Sequence, residues 1–315
     1  MLGGEGIPVS FFLGLDGGGT KTDAVLLDAS GRLVAQGRGG PSNPLRSSFS
    51  RAFTSLDGAS AQALAAAEAE PSSVQGVVAG LAGAWHPRVA TRVAAFLTTR
   101  FRAAEIEVIA DLDIALEAVA DSGPAVVLIA GTGSSAFARD AAGRTARAGG
   151  WGPWFDDEGS AFAIARSALR AIAQSHDEGA APSNFARAVG SSFARNSWPE
   201  VFDFVSRKPL ERMPGVFPAV AEAADAGDET ARQILDAAAA DLAALAATVI
   251  RRLNLGEQDF PLGRVGGVFG RSAYFDERSA ARLAALSPRL RVVSPRFSPA
   301  VAAAHRALRR APAPA

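Results

Sequence analysis

The stretch Leu13-Gly14-Leu15-Asp16-Gly17-Gly18-Gly19-Thr20-Lys21-Thr22-Asp23-Ala24-Val25-Leu26-Leu27-Asp28 decides how the chain is read. An apolar run over residues 11–15 has the composition of a buried strand, and Asp16 stands where it ends. Three glycines then suggest a turn built on positive φ, which glycine visits freely. After Thr20 and Lys21 a second strand is expected over residues 24–27. Glycines let backbone N–H groups approach a phosphate closely, here with a hydroxyl and an ammonium beside them. A carboxylate such as Asp16 suits Mg²⁺, which keeps much of its water and takes few protein ligands. The spacing is not that of a Walker P-loop, which needs Gly-Lys-Ser/Thr and a following helix. It reads as a phosphate-binding β-hairpin or, on chemistry alone, as an ordinary hairpin turn with an acidic flank.

The chain contains the stretch twice. Residues 126–138 again run apolar strand, Gly131-Thr132-Gly133-Ser134 turn, return strand. At a constant offset of 112, Gly19-Thr20 falls on Gly131-Thr132, Thr22 on Ser134, and Asp28-x-x-Gly31-Arg32 on Asp140-x-x-Gly143-Arg144. Asp-x-x-Gly-Arg is a turn signature in itself. Each half is therefore expected to open with a hairpin followed by a third strand, and two such loops would grip one triphosphate from both sides.

Between the copies, a strand running into a glycine turn over residues 74–83 and a strand over 105–110 are expected to alternate with helices over 47–70, 88–101 and 113–121, the pattern of an α/β layer. Asp111 follows the last of these strands directly, where open α/β sheets place functional groups. It is a candidate catalytic base, with Asp113 better placed to cap the helix. Gly39-Gly40-Pro41-Ser42-Asn43-Pro44 is a turn-rich loop. Gly149-Gly150-Trp151-Gly152-Pro153-Trp154-Phe155-Asp156-Asp157-Glu158-Gly159-Ser160 combines aromatic rings with carboxylates, a composition suited to a sugar or to an aromatic-anchored loop capped by Ser160. Residues 202–205 and 212–216 read as linkers between helices. Residues 260–269 form a strand that ends at Gly266-Gly267, and residues 299–309 a closing helix.

Asp16-Gly-Gly-Gly-Thr-Lys-Thr22, Ala130-Gly-Thr-Gly-Ser134 and Gly149-Gly-Trp-Gly152 followed by Asp157-Glu-Gly-Ser160 together resemble the N-acetylglucosamine kinase / BadF-type ATPase family of the sugar kinase–Hsp70–actin superfamily. The resemblance extends from Leu13 to about His305. It implies a two-lobed ribonuclease H-like, actin-like α/β fold with a duplicated mixed sheet, divided into residues 1–115 and 116–315, the last helix packing back on the first lobe. It implies an ATP- and Mg²⁺-dependent kinase acting on an amino sugar, N-acetylglucosamine at O6 foremost. Asp111 would be the base and Asp16 would position the metal. Gly17, Gly18, Gly19, Thr20, Lys21, Gly131, Thr132, Gly133, Ser134, Gly266 and Gly267 would hold the nucleotide. Asn43, Asp111, Thr132, Gly150, Asp157 and Glu158 would hold the sugar. Asp156 and Pro153-Trp154 depart from the family's commoner pattern, which leaves glucosamine or an N-acetylmuramic derivative as alternative substrates. A homodimer is also expected.

Composition narrows the classes further. Of 315 residues, charge balances to zero at a pI near 6.9, so there is no electrostatic footprint for nucleic acid or an anionic membrane. The absence of cysteine removes disulfides, thiolate metal sites and the cluster ligands of BadF-type activators of acyl-CoA enzymes. Lys21 and Lys208 are the only lysines, which makes the one inside the hairpin conspicuous. His86, His176 and His305 are scattered without metal-ligand spacing. With no leader pattern and no long apolar run evident, a cytoplasmic protein is expected.

Overall fold

The computed structural model describes residues 10–207 and 212–311. The short lead expected before Ser10, Lys208 and the end of the chain from residue 312 lie outside them. Contacts divide the chain into two units, Met1–Asp121 with Arg296–Ala315, and Ser122–Pro295.

The first unit is a five-stranded sheet of order β3-β2-β1-β4-β5, with β1 (Phe11–Gly17), β2 (Thr22–Asp28), β3 (Leu33–Gly39), β4 (Val74–Leu81) and β5 (Glu105–Ala110). β1–β2 and β2–β3 are antiparallel; β1–β4 and β4–β5 are parallel. Alternation along β1 explains the layers, since successive side chains point to opposite faces. Leu13 and Leu15 pack with α1 (Phe49–Ala66) and α2 (Pro87–Arg100) through Leu56, Ala59, Val93 and Leu97. Phe12 points the other way, toward Ile114 of α3 (Asp111–Val119) and Ala303 and Ala307 of the chain's last helix, Pro299–Arg310. Residue 115 thus lies inside α3, and the contact division falls after Asp121.

That last helix sits close on β1 because both surfaces are small. A Cβ on Gly14 would lie 2.1 Å from the carbonyl oxygen of Ala300 and 2.3 Å from the amide nitrogen of Ala304. No rotamer can relieve a clash with helix backbone. Gly14→Val is therefore expected to cost about 1–3 kcal/mol or more by overpacking, read as a lower urea midpoint. A wild-type midpoint would mean that the helix does not pack on β1.

The second unit repeats the topology, in the order β10-β9-β6-β7-β8. Its strands are β6 (Ala125–Ala130), β7 (Ser134–Arg139), β8 (Thr145–Gly149), β9 (Phe260–Val265) and β10 (Leu290–Val293), and β6 plays the part of β1. Its helices are α4 (Ala161–Asp177), α5 (Asn184–Ser192), α6 (Trp198–Arg207), α7 (Phe217–Asp225), α8 (Glu229–Arg252) and α9 (Ala273–Ala284); Pro299–Arg310 is α10. The repeated turns are built alike. The Asp28 carboxylate accepts from the amides of Ser30 and Arg32, and Asp140 from those of Ala142 and Arg144. Gly31 and Gly143 have φ of 81° and 80°, where a side chain would be strained. These bonds, the Ser30 hydroxyl foremost, hold the Asp28 carboxyl down to about 2.

Three expectations are corrected. Residues 202–205 are helical, not a linker: Val201, Phe204, Val205 and Trp198 recur at helical spacing and pack into the second unit's core. Gly17, Gly18 and Gly19 do not have positive φ, nor do Gly131 and Gly133; Gly17 and Gly133 answer to close approach instead, as described below. By length and composition α8 is apolar enough to cross a membrane, because alanine carries the stretch. Its Ala231, Leu235, Ala238, Leu242, Ala246 and Val249 are buried in the second unit's core, and its Asp236 takes Tyr274 and Arg278 of α9.

Candidate active site

In the first unit, β1 delivers Asp16 and β5 delivers Asp111 at the same edge of the sheet. Asp16 stands opposite Asp23 on β2 and Gly80 on β4, and Gly80 is in turn opposite Ile109 of β5. With β4 between them, the two backbones are roughly 10 Å apart. Gly80 is required there because a Cβ would lie 2.2 Å from Ile114. Asp111 is the first residue of α3, with Ala110 as the N-cap, so its carboxylate lies in the favourable field of the helix start; the Leu112 amide donates to its Oδ1 at 3.1 Å. Asp113 does not cap as a leading residue. It reaches back to accept the Ala110 N–H, and burial pushes its carboxyl up.

Asp16 is half-buried, and its carboxyl is pushed up to about 7, by burial first, then by the negative charges of Asp111 and Asp23, with Lys21 opposing. Such a site stores repulsion that a cation relieves. Among the described residues no group of three or more His, Cys, Asp or Glu forms a metal cage. One half-buried carboxylate fits a Mg²⁺ held mainly by water and phosphate oxygens.

The hairpin between the strands is a cradle of open amides. Gly18 N–H donates to Lys21 O, while Gly19 and Thr20 amides and the Thr20 hydroxyl donate to no described residue. Gly17 is glycine because a Cβ would lie 2.1 Å from the Ser42 hydroxyl. The hairpin is tied to the next loop: Ser42 and Asn43 amides donate to Gly18 O at 3.0 and 3.2 Å, and the Thr22 hydroxyl donates to Gly40 O at 2.7 Å. Asn43 Oδ1 accepts the Leu45 amide at 3.0 Å and lies 3.1 Å from where a Gly83 Cβ would be. Lys21 does not stand free. Its ammonium is paired with Asp23, which also takes Arg38; burial alone would raise Asp23, but these two partners hold it below its ordinary value. Leu45 and Arg46, which border this loop with exposed side chains, follow no motif that the sequence offers.

In the second unit the corresponding hairpin is one residue shorter. Gly17 faces Thr22 across the first turn, whereas Ala130 faces Ser134 across the second, so Ile129 occupies the place of Asp16. The carboxylate pair thus belongs to the first unit alone. Thr132 and Gly133 amides donate to no described residue, again leaving an anion cradle. Gly133 is glycine because Asp157 Oδ2 lies 2.7 Å from its would-be Cβ. Asp157 is buried at φ 67° and accepts the Ser134 amide at 3.2 Å. The Ser134 hydroxyl donates to Glu158 O at 2.6 Å, as Thr22 does to Gly40 in the first unit. Asp157 and Ser134 therefore brace the loop.

Glu158 is half-exposed and pairs with Arg166, and its charge also raises Asp241 after burial does. Gly150, at φ 75°, offers its carbonyl to Arg147 at 2.7 Å. Trp151, Trp154 and Phe155 are 71%, 76% and 89% exposed, on a loop held by bonds from Trp151 N–H to Asp156 and from Phe155 and Asp156 N–H to Gly152 O. They do not anchor the loop in a core. Gly266, at φ 113°, packs on Ala130, whose oxygen would lie 2.2 Å from a Cβ, whereas Gly267 faces open space. A cavity of about 170 Å³ lies away from these residues, among His176, Phe185, Arg187, Arg195 and Trp198.

Comparison with known proteins agrees with this architecture. The chain is 24% identical over 288 residues to N-acetylmuramic acid/N-acetylglucosamine kinase of Clostridium acetobutylicum, spanning 91% of this chain and 94% of that one. Its fold is similar to that of a Chromobacterium violaceum protein described as a candidate N-acetylglucosamine kinase, with a TM-score of 0.75, 23% identity and coverage of 95% and 99%. It is also similar to that of a ROK family glucokinase from Streptomyces griseus in complex with glucose and AMPPNP, with a TM-score of 0.64, 16% identity and coverage of 95% and 100%. The two units are thus of the ribonuclease H-like class. Residues 13–283 match one family over both hairpins and the carboxylate edge, and the chain belongs to the BadF/BadG/BcrA/BcrD ATPase family.

Proposed function

We propose that the protein is an ATP-dependent amino-sugar kinase that phosphorylates N-acetylglucosamine at O6. The observation that carries the proposal is the asymmetry of the duplication: two anion cradles, but one pair of strand-tip carboxylates, Asp16 and Asp111, beside the first of them. A phosphoryl-transfer site needs that combination, with positioning and charge stabilisation carrying most of the catalysis. The Clostridium relative supports an amino sugar by its name.

In this reading Asp111 takes the proton of the attacking hydroxyl as the new O–P bond forms. The open amides of Gly19, Thr20, Thr132 and Gly133 donate to phosphate oxygens, with Gly17, Gly18, Lys21, Gly131 and Ser134 shaping the loops around them. Gly266 and Gly267 approach the nucleoside. Asn43, Thr132, Gly150, Asp157 and Glu158 orient the sugar. Asp16 would hold Mg²⁺, which would supply positive charge to offset that of the transferring phosphoryl group.

An ATP-coupled assay over glucose, glucosamine, N-acetylglucosamine, N-acetylmannosamine and N-acetylmuramic acid tests this. The expected outcome is ADP release that requires sugar and Mg²⁺, largest with N-acetylglucosamine, and stops with EDTA. ADP release at one rate whatever the sugar would overturn the kinase assignment. N-acetylmuramic acid as the better substrate would correct the sugar alone.

A further inference from the structure

We infer that Arg46, rather than Lys21, is the cation that steadies the phosphates at the first hairpin; the inference rests on the phosphoryl-transfer reading above. Lys21 already has a partner, since its ammonium is bound by Asp23 on the adjoining strand. Arg46 has none. Its guanidinium makes no ion pair and donates no hydrogen bond to a described residue, although Cδ and Nη1 lie only 3.8 Å from where a Gly19 Cβ would stand. The open side of Gly19 is thus shared by an unengaged amide and an unengaged guanidinium.

The backbone beneath Arg46 is nevertheless fixed. Arg46 and Ser47 amides donate to Asn43 O at 3.2 and 3.1 Å, Leu45 N–H donates to Asn43 Oδ1, and Asn43 N–H is bound to the hairpin through Gly18 O. A surface arginine with a random role would not have its base tied to the turn whose glycine its tip covers. The planar fork of a guanidinium matches phosphate oxygens in two parallel bonds, which an ammonium cannot do. Arg46 also brings positive charge to a sheet edge that carries Asp16 and Asp111, offsetting their repulsion toward a triphosphate.

Binding of ADP, of adenosine and of inorganic tripolyphosphate to wild type, Arg46→Gln, Arg46→Lys and Lys21→Gln tests the assignment. Arg46→Gln is expected to weaken ADP and tripolyphosphate about 10-fold or more, to raise the KM for ATP alike, and to leave adenosine affinity and the KM for sugar unchanged. Arg46→Lys should recover part of the loss, and Lys21→Gln should cost less than Arg46→Gln. The melting temperature of Arg46→Gln should stay at the wild-type value, because the side chain binds nothing in the fold. Equal ADP affinity in wild type and Arg46→Gln would overturn the inference alone, as would a larger loss in Lys21→Gln or a matching loss of adenosine binding. A wild-type protein that binds no ADP would overturn the phosphoryl-transfer reading and this inference with it.

Discussion

Asp111→Asn is expected to lower kcat by about 10²–10⁴-fold while ADP affinity stays near wild type. The substitution keeps the shape and the Oδ1 that accepts the Leu112 amide, so α3 should start as before. What it removes is the ability to take a proton. Titration with ADP separates this from a loss of nucleotide binding, and the sugar-dependent assay reads the turnover. The neighbouring Asp113→Asn serves as contrast. Asp113 is turned back onto the Ala110 amide, near Arg306, Glu117 and Glu107, and its loss should show in stability before turnover. Full activity of Asp111→Asn would end the assignment of the base.

Arg306→Leu should destabilise the protein by about 3 kcal/mol at neutral pH. Arg306 on α10 donates to Glu107 of β5 at 2.7 and 2.8 Å and also binds Glu117 of α3. Glu117 is buried, and Arg309 is its other partner, so the loss falls at the lower end of the range for breaking such a network. The leucine would leave Glu107 short of its nearest cation. Arg306 holds the Glu107 carboxyl below its ordinary value, against burial. A depressed carboxyl contributes stability above its unfolded-state pKa, near 4.5, and that contribution is lost as pH falls through the lower folded value. The gap between wild type and variant, measured by urea unfolding, should therefore be full at pH 7 and shrink progressively below about pH 4.5. A gap that persisted undiminished at lower pH would show that packing, not charge, sets the effect.

The placement of several candidate residues was legible because its signals are local. A hairpin turn, a strand-tip carboxylate and an Asp-x-x-Gly-Arg corner are each made by a few neighbouring residues, so Asp16, Asp111, Asp28 and Asp140 stand where their flanking residues put them. The repeat doubled that signal, and the topology of both sheets follows it. The reason for the glycines was not legible in the same way. Gly17 and Gly133 look like flexible turn residues, yet each is small because a hydroxyl or a carboxylate from a distant loop, Ser42 or Asp157, fills the space.

By itself the sequence determined the duplicated strand–turn–strand units, the alternating α/β pattern, the absence of thiol chemistry and the family. Periodicity, turn chemistry and composition are properties of consecutive residues and survive without coordinates. Tertiary structure alone decided which charges are engaged. Lys21 sits inside the motif but is held by Asp23, while Arg46 sits outside it and covers Gly19. It also turned residues 202–205 into a helix by giving Val201 and Phe204 a core to face. A side chain's partner is set by the packing of segments distant in the chain, and no spacing along the sequence encodes that distance.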